Sequence, residues 1–61
     1  MTRYINAHTA QGIETIDELP FNTVYERREF RRVMSEYQLS YYGTGIHVYS
    51  SRRSTKDWKD K

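Results

Sequence analysis

Between Tyr49 and Lys59 the chain sets Arg52, Arg53, Lys56 and Lys59 among Ser50, Ser51, Ser54 and Thr55, with an indole at Trp58. This is chemistry for anions. Cations supply charge, and hydroxyls supply short hydrogen bonds to phosphate or carboxylate oxygens. Tyr49 or Trp58 would stack on an unpaired base, a contact worth about 1–3 kcal/mol in single-strand binders. The same run also reads as a solvated tail whose Trp58 folds back as a core anchor. A second basic feature is Arg27-Arg28 with Arg31-Arg32. On a helix these side chains would lie along a phosphate backbone or an acidic protein groove. They equally read as an ordinary solvated face held by ion pairs within the helix.

Catalytic chemistry finds little to work with. His8 and His47 stand far apart, without the spacing of a metal-ligand pair, and there is no cysteine to act as a nucleophile or thiolate ligand. No serine sits in a GxSxG elbow. Gly43-Thr44-Gly45 is a turn rather than a phosphate loop, because no helix-opening lysine follows it. Asp17 and Glu18 are adjacent, but nothing marks either as an acid–base group. The expectation is a non-enzyme with no metal or other cofactor.

The elements that must position the basic residues follow from pattern. Thr23-Val24-Tyr25-Glu26 has the form of a capping box, and Pro20 and Asn22 punctuate the chain before it. Phe30, Val33, Met34, Tyr37 and Tyr41 then recur at helical spacing, and Gly43-Thr44-Gly45 ends the run. The spacing predicts a helix from Thr23 to Ser40. At about 100° per residue from Phe30, Arg31 falls near 100°, Arg28 near 160° and Arg32 near 200°, away from the apolar stripe. Glu29 and Glu36 flank Arg32 at i−3 and i+4, pairs worth only about 0.2–0.5 kcal/mol each. Ile46-His47-Val48-Tyr49 alternates and reads as a strand, with His47 pointing outward or packing under a tyrosine. Tyr4-Ile5-Asn6-Ala7 and Ile13-Glu14-Thr15-Ile16 are weaker strands around a turn at Gln11-Gly12. Ile13, Ile16 and Leu19 also fit a helical turn. A further alternative pairs Tyr41-Tyr42 with the last strand as a hairpin across Gly43-Thr44-Gly45. The fold class is α+β: a small antiparallel sheet of two to three strands in ββαβ order, with one helix packed on it. Residues 1–61 form one domain, with a basic tail from Ser51 onward.

A chain of 61 residues, 36% hydrophobic and 15% aromatic, builds one small aromatic-rich core without disulfides. The net charge of +2 hides a gradient. Residues 1–22 set Arg3 against Glu14, Asp17 and Glu18; residues 43–61 set Arg52, Arg53, Lys56, Lys59 and Lys61 against Asp57 and Asp60. An acidic head and basic tail could attract each other within the fold. No apolar run approaches the roughly 20 residues of a membrane span, and the first residues lack a signal-peptide h-region, so a cytoplasmic location is expected.

Glu36-Tyr37-Gln38-Leu39, the glycine turn at Gly43-Thr44-Gly45, and Tyr49 through Trp58 in a Tyr-x-Ser-x-Arg-x-x-Lys-x-Trp pattern together resemble small accessory proteins predicted in bacteriophage genomes. Thr15-Ile16-Asp17-Glu18-Leu19 resembles the lead-in to the helix of such proteins. The likeness spans roughly residues 13–59 and carries over no functional residue. It implies a stoichiometric protein acting on a host machine in the host cytoplasm. Three functions from different classes are therefore expected in order: a host-directed protein binder, a DNA- or RNA-binding module, and a homodimeric assembly protein. The candidate contact residues are Arg28, Arg31, Arg32, Tyr49, Arg52, Arg53, Lys56 and Trp58. A membrane partner is not expected, because the helix stripe is needed for the core.

Overall fold

The computed structural model describes residues 1–53. Lys56 and Trp58 lie outside them. The elements run β1 (Thr2–Thr9), β2 (Gly12–Pro20), α1 (Val24–Ser40) and β3 (His47–Ser51), the ββαβ order and α+β class read from the sequence. The sheet is ordered β2-β1-β3, and β1 is antiparallel to both neighbours.

Alternation divides β1 between two faces. Ile5 and Ala7 turn toward α1 and are buried, while Tyr4, Asn6 and His8 turn to the other face. The helix lays Phe30, 4% exposed, onto Ile5 and Val48, and Val33, Met34, Tyr37 and Tyr41 surround that contact. The predicted apolar stripe is therefore the packed one.

The turn between β1 and β2 lies one residue earlier than Gln11-Gly12. Thr9 pairs with Gly12, so Ala10-Gln11 form the loop and Gly12 opens β2. The helical alternative for Ile13, Ile16 and Leu19 gives way to a bulged strand. Ile5 pairs with Asp17 and Asn6 with Thr15, which leaves Ile16 as the extra residue. A bulge shifts the side-chain phase. Hence Ile16 and Leu19, three apart, both pack on the core while Thr15 faces the opposite side. The phase break mimics helical spacing.

The hairpin alternative for Tyr41-Tyr42 is also corrected. Tyr41 caps the helix, with its amide bonded to the Tyr37 carbonyl at 3.1 Å, and Tyr42 is 86% exposed. Gly43 and Gly45 take φ of 79° and 84°, which lets the chain reverse into β3 where a β-carbon would be strained. Ser51 belongs to β3 rather than to a tail.

The helix start is the capping box in full. Glu26 N–H donates to Thr23 Oγ1 at 3.1 Å, and Glu26 Oε1 accepts from the amides of Thr23 (3.1 Å) and Asn22 (2.8 Å). Thr23→Ala should lower stability by about 1 kcal/mol, read as a shifted urea midpoint with unchanged slope.

Candidate binding surface

Because β1 runs against both neighbours, its first residues lie beside the last residues of β2 and β3: Thr2 pairs with Pro20 and Tyr4 with Ser51. The helix also begins at this end, four residues after β2 stops. Topology thus gathers Arg3, Arg27, Arg28 and Arg31, and the residues leaving β3, at one end of the sheet.

Phe21 organises them. Its amide donates to the Met1 carbonyl at 2.9 Å, and its ring meets Phe30 edge-on at 5.4 Å between centroids. The Arg3 guanidinium lies 5.0 Å from the Phe21 centroid and that of Arg27 lies 6.0 Å away, both within cation–π range. Arg3 Nη2 also donates to Ser50 Oγ at 3.5 Å, a long bond that ties β1 to β3. Arg3, Phe21, Phe30, Arg31, Met34 and Ser50 line a cavity of about 290 Å³ with an apolar floor and a cationic rim. Beside it, Val24, Arg27, Arg28 and Arg31 line a second of about 190 Å³. Arg31 borders both, so the two form one continuous surface.

Arg32 is different. It is bonded to Glu29 at 2.9 Å and to Glu36 at 2.7 Å, the two partners expected from spacing. The hydrogen bond that Arg32 donates to Glu29, followed by the Glu29 and Glu36 charges, raises the Arg32 pKa; the same hydrogen bond and the Arg32 charge lower that of Glu29. Among the described residues these are the only ion pairs, so Arg3, Arg27, Arg28, Arg31, Arg52 and Arg53 enter none there. Nor does any described ion pair join the acidic β2 to Arg52 or Arg53.

The charge is instead separated across the molecule. Arg31 shares a cavity with Ser50, and Gln38 Nε2 donates to the Val48 carbonyl at 3.3 Å, which fixes the arginine flank of α1 over β3. On the other flank, Tyr37 Oη donates to Asp17 Oδ2 of β2 at 2.8 Å. That bond, then burial and the Asp17 charge, raise the Tyr37 pKa above its ordinary 10.0. The sign follows: this stabilisation is complete below pH 10.0 and is lost as pH rises through the higher folded value. Tyr37→Phe should lower stability by about 1 kcal/mol at neutral pH. Wild type should then lose that advantage above about pH 10, as read by urea denaturation in alkaline buffers.

Tyr49 is set apart from the arginines. It pairs with Asn6 on the face away from the helix, where its ring stacks on exposed His47 at 5.9 Å and 17°. Arg52 and Arg53 are exposed, and the Arg53 carbonyl accepts from Asn6 Nδ2 at 3.4 Å. Sequence reading assigned no binding role to Arg3 or Phe21, and Ser50 entered only as one of the hydroxyls of the basic run. Arg3 does share the alternation of Ile5 and Ala7, a signal visible once β1 is started at Thr2. No three of His, Asp and Glu cluster closely enough to hold a metal ion among the described residues. Among the described residues no helix is long and apolar enough to cross a membrane. Set against known proteins, the chain matches no family model, no curated protein and no solved structure.

Proposed function

We propose that the chain is a small non-catalytic binding protein whose arginine end captures an acidic surface of a protein partner. The observation that carries this reading is that Arg27, Arg28 and Arg31, without ion partners among the described residues, surround Val24, which is 62% exposed. Tyr25, the next residue along the helix, is 73% exposed, and Met1, whose carbonyl accepts from the Phe21 amide, is 61% exposed. Arginine and tyrosine are enriched at protein–protein hot spots, and methionine is enriched at interface cores. Exposed apolar side chains gain most from an apolar counterpart, which a phosphate backbone does not offer. The resemblance to phage accessory proteins directs the proposal toward a host enzyme or defence complex.

The test is partner capture from bacterial lysate by the tagged chain, compared with Arg28→Glu/Arg31→Glu. The double reversal should reduce capture at least about tenfold, as expected for hot-spot charges. Its melting transition should stay close to wild type, since neither side chain is buried or paired among the described residues. Undiminished capture removes this surface as the interface. Parallel anisotropy titrations with labelled duplex DNA, single-stranded DNA and RNA across a salt series address the second reading. A steep fall in affinity with salt would assign the same arginines to phosphates.

A further inference from the structure

We infer, resting on this protein-binding reading, that the partner is engaged through an extended acidic segment that adds as a fourth strand to the outer edge of β3. The two edges of the sheet differ. The β2 edge carries Glu14, Glu18 and Pro20 and is broken by the bulge at Ile16, all features that discourage pairing. The β3 edge, His47-Val48-Tyr49-Ser50-Ser51, holds none of Lys, Arg, Asp, Glu or Pro, and its register with β1 is regular. Strand addition at such an edge takes affinity from backbone hydrogen bonds and specificity from pockets for alternate side chains.

Those pockets lie between β3 and α1. One cavity of about 290 Å³ is lined by Gln38, Tyr41, Tyr42, Ile46 and Val48 among others; the arginine cavity, also about 290 Å³, includes Ser50. Val48 is buried in the core and Ser50 bonds to Arg3 above Phe21, so both face the helix side. Two residues along a strand separate them by about 6.8 Å. An added strand would therefore place side chains i and i+2 in the two cavities. The first meets tyrosine rings and Ile46, which suit an apolar group. The second meets the Arg3 and Arg31 guanidiniums and the Ser50 hydroxyl, which suit a carboxylate. The recognised pattern is apolar-any-acidic in an extended conformation. Charge complementarity selects this occupant: of the two cavities, a phosphate chain would satisfy only the cationic one. Among the described residues, the incoming strand displaces the side-chain bond of Gln38 to the Val48 carbonyl.

The probes are two fluorescein-labelled peptides, Ser-Thr-Leu-Thr-Glu-Thr-Ser and its reversed sequence, titrated by anisotropy onto the full chain. One order should bind. Glu→Gln in that peptide, or Arg31→Gln in the protein, should weaken binding at least about tenfold. N-methylation of one alternate set of peptide amides should abolish binding, while methylation of the other set should leave it intact. Equal binding by both methylated forms, or no binding by either order, overturns strand addition. If capture of the partner depends on Arg28 and Arg31 yet neither peptide binds, strand addition fails and the arginine surface stands. If capture ignores those arginines, the surface and the strand addition built on it both fail.

Discussion

Phe30→Ala should leave this chain at the edge of folding, with its melting transition lowered by more than about 10 °C. Phe30 is the one buried residue of α1, and it closes on Ile5, Val48 and the Phe21 ring. Truncating a buried phenylalanine costs about 3–5 kcal/mol, because transfer energy and a cavity term add. A domain of this length has a total stability of about 3–9 kcal/mol, so the loss takes up a third of it or more. The effect reaches the binding surface as well. Phe30 floors the Arg3–Arg31 cavity and supports Phe21, on which two guanidiniums rest. Thermal melts by circular dichroism read the result. Leu39→Ala, at a position 75% exposed, is the matched control and should stay within about 0.5 kcal/mol of wild type. If Phe30→Ala melts like Leu39→Ala, the helix does not anchor the sheet in the way described.

The helix was legible because three local signals agree on it: the Thr23–Glu26 box, the 3.6-residue stripe through Phe30, and the glycines after Tyr42. Each acts within a few residues, so no tertiary information is needed. The strands were harder, for a physical reason. The extra residue at Ile16 breaks the two-residue period, and Ile13, Ile16 and Leu19 then imitate a helical turn. The arginine face of α1 was legible from angle alone, including the pairing that occupies Arg32. Arg3 was not. Its place beside Ser50 and under α1 depends on β3 pairing with β1 on the side away from β2, an order that no local pattern encodes. Tyr49 was grouped with the cations by proximity in sequence. In the sheet, alternation sends it to the face opposite Val48 and the helix.

Asn6→Asp should cost about 3 kcal/mol or more at neutral pH, and most of that loss should vanish in acid. Asn6 has no exposed surface. Its Oδ1 accepts from Thr15 Oγ1 at 2.8 Å, and its Nδ2 donates to the Arg53 carbonyl at 3.4 Å. The substitution is almost isosteric, so packing is kept and only chemistry changes. One carboxylate oxygen still accepts from Thr15. The other faces the Arg53 carbonyl with no proton between them, and the charge is buried without an ion partner among the described residues. Burial and the opposing carbonyl both raise the folded pKa of the new carboxyl above the unfolded value of about 3.9. The protonated form can donate to the Arg53 carbonyl as the amide did. The variant is thus near wild-type stability below about pH 4 and loses ground as pH rises through the folded value. Urea denaturation of both proteins at about pH 4 and about pH 7 measures the gap at each end. The same bond holds the chain where Arg52 and Arg53 leave β3, so any contact those arginines make with a partner should weaken at neutral pH and recover in acid. A pH-independent deficit would place the damage in packing rather than in the buried charge.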